Sequence, residues 1–125
     1  MKAELKNYRQ SPRKVRLVAD VIRGKKVASA LVELQFLGKR AALPFAKLIS
    51  SAVANASHNN KTSATDLVIK SVSVTKGPTL KRIKPRSRGM ANRINKRMSI
   101  LKVELAVKAA AKPKSPKPVK ATPAK

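Results

Sequence analysis

Twenty-two consecutive residues, Gly77 to Met98, contain eight Lys or Arg and no acidic side chain. Their apolar residues are sparse: Leu80, Ile83, Met90, Ile94 and Met98. Such a stretch has too little to bury to build a core. Strand patterns bound it on both sides. Leu67–Lys76 is rich in Val, Ile, Ser and Thr, residue types that suit a pleated surface. Its apolar phase shifts between Ile69 and Val72, which predicts a bulge. Leu101, Val103, Leu105 and Val107 alternate with Lys102, Glu104 and Ala106, the pattern of a strand with one buried face. Two strands around a basic insert predict a hairpin whose arm projects beyond the domain. Gly89 is a natural point of reversal. In an extended leg Arg82, Lys84, Arg86 and Arg88 share one face, with Ile83, Pro85 and Ser87 on the other. Arg93 and Arg97 repeat the spacing more widely on the return. About ten residues per leg, at roughly 3.3 Å each, reach on the order of 30 Å. A two-stranded arm is marginal alone in water, so this one calls for a partner to hold it still.

The charge names the partner's chemistry. In 125 residues there are 30 Lys+Arg against 5 Asp+Glu, a formal net charge of +25. That excess repels itself in an isolated globule, and a polyanion relieves it. Nucleic acid is the first candidate and an acidic membrane surface the second. The only aromatics are Tyr8, Phe36 and Phe45, which argues against a row of rings stacking bases and for contact with phosphates and grooves. No apolar run of signal-peptide length follows Met1, and none is of membrane-spanning length. The expected location is the cytoplasm, with no membrane partner. The absence of Cys excludes disulfides and Cys-ligated zinc.

The rest of the chain is long enough for one domain. An extended segment lies around Ala3–Arg9. Ser11-Pro12 reads as a helix start, Ser as cap and Pro at the first helical position. Val15, Val18, Val21 and Ile22 follow as an apolar stripe, and Gly24 is the expected stop. Val27–Phe36 predicts a second helix with Val27, Ala30, Leu31 and Leu34 on one side, broken by Gly38. A longer helix is predicted from about Lys39 to Asn59. Its Ala42, Phe45, Ala46, Ile49, Ala52, Val53 and Ala56 keep the i, i+3, i+4, i+7 pattern. Pro44 is expected to bend its axis by removing a hydrogen bond.

Catalytic chemistry has little to work with. His58 is the only histidine, and a lone His at a helix end is usually a cap or a surface residue. Glu4, Asp20, Glu33, Asp66 and Glu104 show no paired spacing for acid–base work. Asp20 and Glu33 are expected to pair with nearby cations. The four glycines form no phosphate-cradling loop. No catalytic residue, metal site or cofactor is expected. The basic clusters remain: Arg13-Lys14-x-Arg16, Arg23-Gly24-Lys25-Lys26, Lys39-Arg40, Lys81-Arg82-x-Lys84-x-Arg86-x-Arg88, Arg93 and Lys96-Arg97. A solvated basic face is the plain reading of each. The size of the charge excess favours phosphate contact. Arg, with its planar fork of donors, suits geometric docking better than Lys.

Three of these stretches resemble one family. The run Ser11-Pro12-Arg13-Lys14-Val15-Arg16-Leu17-Val18-Ala19-Asp20-Val21-Ile22-Arg23-Gly24-Lys25 is similar to the bacterial type of large-subunit ribosomal protein twenty-two. So is Ser51-Ala52-Val53-Ala54-Asn55-Ala56-Ser57-His58-Asn59. So is Gly77-Pro78-Thr79-Leu80-Lys81-Arg82-Ile83-Lys84-Pro85-Arg86-Ser87-Arg88-Gly89, with Ala91, Arg93, Ile94, Lys96 and Arg97 after it. The resemblance covers roughly residues 3 to 105. It implies an α+β fold: about three helices packed on a three-stranded antiparallel sheet, with a long protruding β-hairpin. It implies a non-enzymatic constituent of the large ribosomal subunit that binds ribosomal RNA, assists subunit assembly and lines the nascent-peptide exit tunnel. The tunnel-lining residues it implies are Leu80, Lys81, Arg82, Pro85, Arg86, Ser87, Arg88, Gly89, Met90, Ala91 and Asn92. The implied partners are large-subunit rRNA, neighbouring ribosomal proteins and the nascent polypeptide, around a monomer within the ribosome. Met90 and Ser99-Ile100 depart from the family pattern, which commonly has a basic residue and a Ser-His pair there.

The expected organisation is an RNA-binding domain over residues 1–107, with the arm at about 77–98, and a Lys/Pro/Ala-rich tail over 108–125. The tail is expected to stay disordered until it meets a polyanion. The rival reading is a chromatin-like protein that binds DNA without reading it. Lys114-Ser115-Pro116-Lys117 fits that reading, and the interior motifs do not.

Overall fold

The computed structural model describes residues 1–107; the tail expected over 108–125 lies outside the described residues. The chain forms β1 (Lys2–Tyr8), α1 (Pro12–Ile22), α2 (Val27–Phe36), α3 (Ala42–Asn60), β2 (Leu67–Pro85) and β3 (Ala91–Val107). The strands make an antiparallel sheet in the order β1-β3-β2. The expected α+β fold, three helices on three strands with a long hairpin, is the one observed.

The helices cover one face of the sheet. Phe45, Ile49 and Ala52 of α3 and Val15, Val18 and Ile22 of α1 are buried with Leu67, Ile69, Val72 and Val74 of β2 and Leu101, Val103 and Leu105 of β3. The opposite face is polar, with cross-strand ion pairs Lys2–Glu104 at 3.0 Å and Glu4–Lys102 at 3.5 Å.

Several local expectations change. In α1 the fourth buried position is Ala19, while Val21 is 38% exposed, because the stripe follows the 3.6-residue turn and Val21 falls off it. Ser11 makes no side-chain cap; its backbone carbonyl accepts from the amides of Lys14 and Val15 at 3.1 and 3.2 Å. Leu31 is only partly buried. The long helix starts at Ala42, not Lys39, so Pro44 sits in its first turn. Amides there have no intrahelical acceptor to lose, and no bend is required. Val107 is half exposed at the end of β3.

The bulge predicted in β2 is present: the register shifts between Ile69 and Ser71. A second shift, between Lys76 and Thr79, falls where the sheet leaves the domain. Gly77 sits there so close to β3 that a Cβ would stand 3.3 Å from the Met98 carbonyl carbon. β1 has its own shift between Leu5 and Tyr8, with Asn7 at φ 57°. Ser99, fully buried, donates its hydroxyl to the Gln10 carbonyl at 2.5 Å and so fastens the β1–α1 link to β3. Two of these irregularities, the shifts at Lys76–Thr79 and Leu5–Tyr8, and one buried hydrogen bond thus meet at the root of the arm.

Candidate nucleic-acid interface

The arm begins beyond the second bulge. Thr79 pairs with Arg97, and pairing continues without a break to Pro85 and Ala91. Directly paired residues of an antiparallel ladder share a face, so Lys81, Ile83, Arg93 and Arg97 lie on one side. Arg82, Lys84, Ile94 and Lys96 lie on the other. Each side therefore mixes cations with apolar groups, and each leg carries cations on both faces. The expected common face of Arg82, Lys84, Arg86 and Arg88 holds only part way. β2 ends at Pro85, and Arg88 is in the left-handed region at φ 57°, inside the turn. Gly89, at φ 68°, completes the reversal as predicted. The Arg86 amide donates to the Met90 carbonyl at 2.8 Å and closes the tip.

No arm residue belongs to the hydrophobic core, and Ile83 and Met90 are 69% and 68% exposed. An arm with cations on both faces and no dry face suits a surrounding of phosphates rather than a flat docking surface.

On the domain, the candidate residues divide. Arg16 spends two donors, Nε and Nη2, on the Val74 carbonyl at 3.3 and 3.2 Å. Arg23 reaches the Val72 carbonyl at 3.4 Å and Asp20 at 3.1 Å. The Gly24 amide takes the Ile69 carbonyl at 3.1 Å. These groups cover the free edge of β2, which would otherwise invite another strand. Lys25 is paired with Glu33 at 2.6 Å, and Lys26 bridges β2 through its backbone at Val68. The pairings expected for Asp20 and Glu33 are thus observed. Arg13, Lys14, Lys39 and Arg40 are exposed, and no ion pair engages them among the described residues.

A concave surface at the arm root gathers Arg9, Gln10, Ser11, Lys14, Arg40, Asn95, Lys96 and Arg97. Four of these cations were legible as parts of separate clusters. Arg9 lies in no cluster along the sequence; its neighbours arrive through strand pairing and the α2–α3 loop. Tyr8 helps place that loop by donating its hydroxyl to the Arg40 carbonyl at 3.3 Å. Burial pushes the Tyr8 phenol above its ordinary range, with the Arg40 charge opposing the shift.

None of the residues lining this surface is acidic. Glu104 is held below the usual carboxylate range by hydrogen bonds from Lys2 and Ser71 and by the Lys2 charge. His58 is exposed beside Asn59, with Nδ1 3.2 Å from its Oδ1. Among the described residues no group of acids and His stands close enough to hold a metal ion. No helix there is long and apolar enough to cross a membrane.

The comparisons agree with one another. The family model for ribosomal protein L22p/L17e matches residues 3–106. The large ribosomal subunit protein uL22 of Herpetosiphon aurantiacus is 54% identical over 102 residues, covering 82% of this chain and 90% of that one. The protein of the same name in Desulfitobacterium hafniense is 52% identical over the same shares. That of Mesoplasma florum is 54% identical over 98 residues, 78% of this chain and 88% of its own. A family match that runs from the first strand almost to the end of the last, across the arm and its root, makes this chain a member of the ribosomal protein L22p/L17e family.

Proposed function

We propose that this chain is a structural constituent of the large ribosomal subunit, in the cytoplasm, which binds large-subunit rRNA and aids its assembly. Its role is architectural rather than enzymatic, as befits a ribosomal protein family. The observation that carries the reading is the arm: seven successive residue pairs beyond the Lys76–Thr79 bulge, cationic on both faces and acid-free. Only a polyanion that envelops it satisfies such an element.

In this reading residues 1–107 are the RNA-binding unit and 108–125 a basic extension of it. The phosphate contacts come from Arg13, Lys14, Lys26, Lys39 and Arg40 on the domain, and from Lys81, Arg82, Lys84, Arg86, Arg88, Arg93, Lys96 and Arg97 on the arm. Arg16, Arg23 and Lys25 contribute through the charge left after their internal contacts. The arm tip, from Pro85 to Asn92, together with Leu80, Lys81 and Arg82, lines the exit tunnel, where the nascent polypeptide is the further partner. Neighbouring ribosomal proteins meet the domain, and the chain acts as one copy per subunit.

The test is sedimentation of the tagged chain in a gently lysed extract after nuclease removal of DNA. Co-migration with the large subunit through a moderate salt wash is expected. Release by the DNA nuclease would instead favour the chromatin-like rival.

A further inference from the structure

The concave surface at the arm root differs from the other basic stretches because its cations come from separate parts of the chain. Arg9 follows the end of β1, Lys14 stands in the first turn of α1, Arg40 belongs to the loop before α3, and Lys96 and Arg97 lie on β3. Their convergence is enforced. The Ser99 hydroxyl holds the Gln10 carbonyl at 2.5 Å, and the Tyr8 hydroxyl holds the Arg40 carbonyl at 3.3 Å. None of the five cations is in an ion pair among the described residues. Holding like charges together raises the energy of the free protein unless an anion enters.

Two further observations point the same way. The N-terminus of α1 opens here, and Ser11 leaves it without a side-chain cap. Pro12 has no amide and the Lys14 amide is spent on the Ser11 carbonyl, so what this end offers an anion is the Arg13 amide and the helix dipole. Gln10 Oε1 and Thr79 Oγ1 are the buried side-chain oxygens without a partner among the described residues. Gln10 lines the concavity and Thr79 is the register partner of Arg97. Buried polar groups are rarely left unpaired, and a ligand or water that brings a donor to Gln10 would satisfy the one that lines the concavity.

We propose that the arm root is a phosphate-binding notch that takes the RNA backbone and ties the arm to the domain. The inference rests on the rRNA-binding reading and deepens it. Lys14 and Arg40 belong to the helical layer, while Lys96 and Arg97 belong to the arm. A phosphate held by both sets bridges them and fixes the direction in which the arm projects. Arg forks supply paired hydrogen bonds to phosphate oxygens, and Lys supplies point charge.

The experiment uses the full chain, with R9A/R40A as the notch variant and K47A/K70A as a charge-matched control on other surfaces. Thermal unfolding is followed while inorganic phosphate replaces chloride at constant ionic strength. The parent and the control are expected to gain stability in phosphate, and R9A/R40A is expected to lose that gain. R9K/R40K should restore only part of it. An equal gain in all variants, or an equal loss in both double-alanine variants, overturns the notch. A second measurement titrates transcribed large-subunit rRNA. R9A/R40A is expected to weaken binding by at least about tenfold, the scale of one charge-assisted hydrogen bond. The control should change it by no more than about fivefold, as exposed charges do. If the phosphate effect maps to the notch but rRNA affinity is spared, the site takes a free anion and the RNA assignment is overturned. If the parent itself fails to bind rRNA, the broader functional reading fails instead.

Discussion

Replacing Lys81–Asn95 with a two-residue Asn-Gly turn separates the arm's work from the domain's. The cut is set by the register, because Leu80 pairs with Lys96 and a two-residue turn closes such a pair. It removes six cations, Lys81, Arg82, Lys84, Arg86, Arg88 and Arg93. It removes no core residue, since every buried apolar side chain lies between Val15 and Val74 or between Leu101 and Leu105. Stability should change by less than about 1 kcal/mol, a shift in Tm of no more than about 8 °C for a domain this size. RNA binding should change much more in its salt dependence. If each lost cation had neutralised one phosphate, the slope of log K against log salt falls by about 0.7 to 0.9 per contact, or about 4 to 5 in all. The assay is a filter or fluorescence titration of transcribed large-subunit rRNA between about 50 and 200 mM salt, beside a melt by circular dichroism. A slope unchanged to within about one contact would falsify the enveloped-arm argument. Loss of cooperative unfolding would show that the arm belongs to the core.

Other predictions concern residues with internal roles. Arg16→Ala should cost about 1 kcal/mol by stripping the Val74 edge carbonyl, whereas Arg13→Ala should leave the urea midpoint unmoved; equal midpoints for both would deny the edge contact. Gly77→Val places side-chain atoms against the Met98 backbone and should cost about 1–3 kcal/mol; an unshifted denaturant midpoint would mean the bulge yields freely. Glu104 has a lowered carboxyl pKa in the folded state. Its contribution is therefore present above the ordinary carboxylate range and lost as pH falls through the folded value. Glu104→Gln should flatten the fall of Tm between about pH 6 and pH 3, and parallel curves for the two proteins would refute it.

Much of the fold was legible because it rests on local pattern. The apolar stripes of α1, α2 and α3 and the alternation of Leu101–Leu105 each state a period that burial enforces. The phase slip between Ile69 and Val72 was visible since only an extra residue reconciles it with one buried face. What was not legible depends on distant partners. Arg16 and Arg23 read as free cations, and only the position of β2 as an edge strand beside α1 turns them toward backbone carbonyls. The second bulge at Gly77 had no phase signal, because polar residues on both sides conceal a shift in register. The gathering of Arg9, Lys14, Arg40, Lys96 and Arg97 is likewise a product of strand pairing and loop placement, not of spacing along the chain.

The pairing of the arm also limits how its reach can vary. One residue added to each leg lengthens it by roughly 3.3 Å but turns the tip over, so that whatever met one wall meets the opposite one. Two residues in each leg restore the orientation and add roughly 6.6 Å. Arm length is therefore quantised: a hairpin of this construction can be lengthened or shortened in steps of four residues while presenting the same tip, and any other indel must re-aim Arg86, Arg88 and Met90 together.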